Sequence, residues 1–244
     1  MHATLSSILF CERKEQAMNI LAQLEAGYLA TKTGQRVELK HLSLEDFHRL
    51  FTTLTGLDTI KGFGGYFSTA MVDLGAGSLE TVIKFGYPFN NMGVEFPKHR
   101  TWKNDYFWNY AAMVQELGGR NYCTPFPDIY YLNTLELANN TQLPVCVMEF
   151  VAVTRDRHTG RGLERVLDKT FDAIKTKTNI SSDPVVLEAL KTWHWSYEDL
   201  VKFATVILEL TDGVELFDLS EGTNSGWRSD GSLCVFDPLG MKDF

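Results

Sequence analysis

The run Leu216-Phe217-Asp218-Leu219-Ser220-Glu221-Gly222-Thr223-Asn224, followed by Leu233-Cys234-Val235-Phe236-Asp237-Pro238, sets three oxygen-bearing side chains around a short apolar strand. Asp218 and Asn224 precede the strand and Asp237 follows it. The stretch Leu233 to Phe236 suits a strand that holds the Asp237 carboxylate at its end, and Asp230-Gly231 suits the turn before it. An ordinary hairpin with acids beside it is the plain alternative.

Upstream, Tyr197 to Leu210 reads as a strongly apolar helix with Glu198 and Asp199 in its first turn, where the macrodipole favours them. Asp183-Pro184 starts another helical element, with Pro near its first turn. Residues 152–182 are charged and helix-compatible. Before Val151 the character is different. Val145-Cys146-Val147-Met148-Glu149-Phe150-Val151 and Ile129-Tyr130-Tyr131-Leu132 read as strands around an Asn-rich turn. Residues 105–117 suit a largely buried helix stopped by Gly118-Gly119; before it, a glycine cluster at Gly62, Gly64 and Gly65 leads into strand-forming residues up to Val72, and a turn at Gly75-Ala76-Gly77 leads into a strand over 80–86. At the start, Leu5, Ile8, Leu9, Ile20, Leu21, Leu24 and Leu29 recur at helical spacing, which predicts a helix over 5–30, and Gly34 breaks the pattern. Ser43-Leu44-Glu45-Asp46 has the layout of a capping box and predicts a second helix to about Leu54, ended by Gly56.

Phosphoryl transfer requires a backbone cradle over the phosphates, a cation on them, metal ligands, and a carboxylate near the attacking hydroxyl. Gly64-Gly65-Tyr66-Phe67-Ser68 supplies a candidate cradle, because glycine lets N–H groups approach phosphate oxygens closely. Lys84 in Val82-Ile83-Lys84 lies on the next strand, in the manner of the kinase V-A-I-K lysine. Asp105 is the candidate partner for Lys84, with Glu116 the alternative, and Glu149 is a further candidate nucleotide contact. Asp218 suits the catalytic base, and Asn224 and Asp237 suit metal ligands. Taken singly, each has a plain structural reading: a glycine hairpin, an exposed strand lysine, solvated acids.

These motifs, in this order, resemble the early serine/threonine protein kinase of the autographivirus class of podophages. That family carries G-x-F-S-x-A, V-I-K-x-G and F-D-M-H-S-G-N followed by a short hairpin and T-D-P. The matches are Gly65 to Ala70, Val82 to Gly86, and Phe217-Asp218 to Asn224 closing on Asp237-Pro238, covering roughly residues 60–151 and 205–240. The resemblance implies a kinase-like two-lobe α+β fold. A helical N-terminal extension (1–60) precedes a β-rich N-lobe (61–151) and a short helical C-lobe (152–244). It also implies ATP and Mg²⁺ as cofactors, and host proteins of the transcription or translation machinery as substrates in the bacterial cytosol. Asn224 lies six residues after Asp218 where the family has five, Thr223 takes the expected position, and the family's His is missing. A bulge at Gly222 can absorb the extra residue. The sequence ends seven residues after Asp237, without an activation segment. Both departures favour an alternative, a pseudokinase that binds and inhibits a host protein.

Composition narrows the classes. With 244 residues, 44% hydrophobic and 22% charged, the chain has the balance of a globular protein. A net charge of −8 argues against a nucleic-acid surface. Cys11, Cys123, Cys146 and Cys234 form no CxxC pair and the histidines are scattered, so a zinc site is not expected. No apolar run approaches the ~20 residues that span a bilayer, so a soluble, cytoplasmic protein is expected.

Overall fold

The computed structural model describes residues 19–55, 68–73, 81–86, 89–90, 106–211 and 219–239. Helices and antiparallel sheets are mixed, and the chain divides into two compact units. One takes in the described part of Met1–Asp105 with Ile129–Phe150; the other takes in Tyr106–Asp128 with the described part of Val151–Phe244.

The first unit begins with a helical turn over 19–25 (α1), a hairpin of β1 (Tyr28–Ala30) and β2 (Arg36–Glu38), and α2 (Leu44–Thr55). The hairpin corrects the expectation of an all-helical N-terminal stretch. Leu29 keeps helical spacing with Leu21 but lies in a strand, because Gly27 turns the chain at φ +74. Residues 1–18 of the expected helix lie outside the described residues. At α2 the Ser43 hydroxyl accepts the Asp46 N–H (3.1 Å) and donates to its carboxylate (2.8 Å), as the sequence pattern predicts.

The main sheet contains β3 (Ser68–Asp73), β4 (Thr81–Gly86), β5 (Phe89–Asn90), β6 (Ile129–Glu136) and β7 (Thr141–Glu149), all antiparallel. β4 pairs with β3 and β7, and β7 also pairs with β5 and β6. Alternation along a strand sends neighbours to opposite faces. Ile83 and Phe85 join Val145 and Val147 in a core with Leu24, Leu29, Phe47 and Phe51. Phe85 meets the rings of Phe51 (5.3 Å) and Phe47 (5.8 Å) edge-on. Burying each phenyl group contributes about 1.5–3 kcal/mol, so α2 fixes β4 through the strand's core face. The described part of the N-terminal segment, from α1 to α2, therefore packs on the sheet, as its apolar residues require.

The second unit holds α3 (Tyr106–Leu117), β8 (Ala152–Val153), α4 (Arg157–Thr176), α5 (Pro184–Trp193), α6 (Tyr197–Leu210), β9 (Ser225–Trp227) and β10 (Leu233–Val235). The helices α3, α5 and α6 and the closing hairpin fall where the sequence places them. Ser196 and Asp199 complete a capping box at α6. Asp183 caps α5 by accepting from Val185 and Val186. The strands form a sheet of order β10-β9-β8. Tyr110, Phe126, Trp195 and Phe203 are its buried aromatic centre. The closing hairpin is tied inward: Tyr110 Oη donates to the Val235 carbonyl (2.6 Å) and Trp195 Nε1 to that of Leu233 (2.7 Å). Arg228, also buried, donates to the carbonyls of Thr124 (2.7 Å) and Phe126 (2.5 Å).

Candidate functional site

In the first unit, Lys84 stands in register with Met71 of β3 and Cys146 of β7. It faces away from the phenylalanine core, on the side of Val82, Cys146 and Met148, and is 7% exposed. The plain alternative, an exposed strand lysine, therefore does not describe Lys84. A lysine goes under only where its ammonium is satisfied, and Lys84 is not a free cation. Glu149 ends β7 opposite Thr81 and is buried as well. Ser68 opens β3, whose register with β4 shifts between Ser68 and Ala70. Gly64, Gly65 and Asp105 lie outside the described residues.

In the second unit the structure brings two of the three C-terminal candidates together. The Asn224 carbonyl accepts the N–H of Phe236 (3.1 Å) and, at longer range, that of Asp237 (3.4 Å). The two residues thus flank the open end of the β9–β10 hairpin, where Ser225 pairs with Val235. Asp218 lies outside the described residues. Among those described, no three of His, Cys, Asp and Glu are grouped to hold a metal ion. Asn224 and Asp237 each carry an oxygen-bearing side chain of the kind that a hard cation such as magnesium prefers, and it is their backbones that the hydrogen bonds bring together.

The segment joining Asp218 to Asn224 is a built turn. Gly222 donates to the Leu219 carbonyl (2.8 Å) and takes φ +69, the left-handed conformation expected of it. Its own carbonyl accepts from Arg155 N–H (3.0 Å) and from Thr154 Oγ1 (2.6 Å). Glu221 pairs with Arg157 at 2.7 Å. Gly160, in the first turns of α4, lies flush against the turn: a Cβ there would meet the Leu219 carbonyl oxygen at 2.0 Å. Asp156 caps α4 by accepting from His158 and Thr159. The Thr159 hydroxyl first, and then those two N–H groups, hold its carboxyl below the usual range. Sequence reasoning did not identify Thr154, Arg155 or Gly160 as supports. Gly160-Arg161-Gly162 inside a helical pattern was the available signal, since a helix keeps a costly glycine where something must come close.

Burial pushes the Cys123 thiol up, with the neighbouring Asp199 adding to it, so this cysteine stays protonated and is no nucleophile. No helix among the described residues is long and apolar enough to cross a membrane. No family of known proteins, curated protein or solved structure matches the chain.

Proposed function

We propose that the chain is a phage-type serine/threonine protein kinase that transfers the γ-phosphate of ATP to host proteins in the bacterial cytosol. The observation that carries this reading is Lys84, a buried cation on the sheet face opposite the phenylalanine cluster, among the buried Val82, Cys146 and Met148, one strand after the glycine-rich turn of the sequence. Structural lysines on strands are normally solvated. A buried one placed in this order fits a phosphate contact.

Asp218 orients the acceptor hydroxyl and takes its proton, while Lys84 neutralises phosphate charge. The backbone of Gly64 and Gly65 with Ser68 covers the phosphates, Asp105 pairs with Lys84, and Glu149 contacts the nucleotide. Asn224 and Asp237 supply oxygen ligands for magnesium, which neutralises charge developing on the phosphate oxygens. The turn pinned by Gly160 and Gly222 fits this role, because catalytic groups need positions held to a fraction of an ångström. The six-residue Asp218–Asn224 spacing favours a second reading, a pseudokinase that binds a host protein without transfer.

The test is incubation with labelled ATP, Mg²⁺ and bacterial lysate. Asp218→Asn is expected to abolish transfer while leaving ATP binding largely intact, and Asp237→Asn to weaken the metal-dependent part of binding. Nucleotide binding without transfer would establish the pseudokinase. Transfer that survives Asp218→Asn would overturn the assignment of the base, and an absence of any nucleotide binding would sink both readings.

A further inference from the structure

α4 is divided lengthwise. Gly160, Leu163, Val166, Leu167 and Phe171 form its buried side. At about 100° per residue, Arg157, His158, Arg161 and Arg165 fall within one arc of roughly 100° on the opposite, exposed side. The row starts at the 219–222 turn, since Arg157 holds Glu221. It ends where the same side becomes acidic, at the exposed Asp168 and Asp172. With Arg157 engaged by Glu221, Arg161 and Arg165 remain, and among the described residues no carboxylate pairs with either. Two arginine head groups thus stand in solvent on one face of a chain of net charge −8.

We propose that Arg161 and Arg165 dock an acidic segment of the protein substrate beside the 219–224 turn. The word substrate rests on the kinase reading; the docking surface does not. Arg161 and Arg165 stand about 6 Å and 12 Å along the helix from Arg157, where the 219–222 turn meets it, at 1.5 Å per residue. Those distances match roughly two and four residues of extended peptide at ~3.3 Å each. The preferred acceptor hydroxyl therefore has Asp or Glu within about four residues on one side. Arginine suits this role because its planar fork meets carboxylates bidentately. A nucleic acid fits less well, because it requires a broad basic field rather than one short row flanked by acids.

The test is fluorescence anisotropy of the full chain with three labelled probes: an alanine peptide with four Glu, its Lys counterpart, and a single-stranded oligonucleotide. The acidic peptide is expected to bind, and Arg161→Glu/Arg165→Glu is expected to weaken it about tenfold or more. Raising the salt should produce a similar loss. Lys32→Glu/Lys191→Glu changes net charge equally at exposed positions elsewhere and should cost at most about twofold. Equal binding by the arginine variant, equal losses in both variants, no acidic-peptide binding, or tighter binding of the oligonucleotide would each overturn the proposal. Should transfer from ATP fail while binding still depends on the two arginines, the surface stands and the kinase reading falls.

Discussion

Gly160 and Leu219 meet with no room for a methyl group: a Cβ on the glycine would stand 2.0 Å from the leucine's carbonyl oxygen, and 2.8 Å from the Gly222 nitrogen. Both neighbours are backbone, so nothing flexible can step aside. Gly160→Ala should therefore displace the turn and destabilise the second unit by about 1–3 kcal/mol, the usual cost of overpacking. This outweighs the ~1 kcal/mol that alanine gains over glycine in a helix. Gly162→Ala is the matched control, since its Cβ would meet only Trp193, at 3.8 Å. Thermal melts should show a fall for the first variant and no fall for the second.

Arg228 is a second test of what holds the hairpin. It is buried, and its guanidinium satisfies the carbonyls of Thr124 and Phe126. Arg228→Met keeps much of the volume and strands both acceptors, at about 1–3 kcal/mol for each group left unpaired. Urea melts should place the loss at 2 kcal/mol or more. A loss under 0.5 kcal/mol would show that water replaces the guanidinium.

Acid should loosen the second unit in a defined window. Burial raises the Asp199 carboxyl, but hydrogen bonds from the Ser196 hydroxyl and the Thr124 N–H outweigh it and leave the group below its ordinary value. The Lys169 ammonium does the same for Asp183. A depressed carboxylate gives stability that is present above its unfolded value, about 3.9, and lost as pH falls through the folded value. Melting temperature should accordingly hold from pH 7 to about 5 and drop below pH 4. Asp199→Asn should flatten that drop, and an unchanged profile would remove Asp199 from the account.

Phe51→Ala tests whether α2 fixes the lysine strand. The ring is fully buried against Phe85, so truncation should cost about 3–5 kcal/mol. If β4 carries the nucleotide contact, the thermal shift produced by ATP–Mg²⁺ should shrink too, although Phe51 faces away from Lys84. A full nucleotide shift in a destabilised variant would separate packing from binding.

Much of the fold was legible where local chemistry decides it. Ser43 and Asp46, Asp183 and Pro184, and Ser196 and Asp199 mark helix starts by groups only a few residues apart. The strands around Lys84 and Cys146 show themselves by β-branched runs. The hairpin at Tyr28 and Arg36 was hidden because Leu29 happens to extend the periodicity of Leu21 and Leu24. β8 was hidden because two residues, Ala152 and Val153, become a strand only by pairing with Trp227 and Gly226. The burial of Lys84 was equally invisible, since it depends on which face of the sheet is covered. At the candidate site, Gly222 could be foreseen from its permissive backbone. Thr154 could not, because an isolated threonine carries no sign of the carbonyl it will serve.

The pairing of β8 with β9, and the ties from β10 back to Tyr110, Pro125 and Trp195, have a consequence for synthesis on the ribosome. Helices α4, α5 and α6 emerge before the strand that β8 awaits, and long-range closure of this kind is slow and exposes unpaired edges. A nascent chain broken off ahead of Leu233 would leave the Tyr110 hydroxyl, the Trp195 indole N–H and the Pro125 carbonyl without their acceptors and donor. The last residues to be synthesised thus supply the partners that earlier buried groups require, and the second unit is satisfied only once the final hairpin has closed.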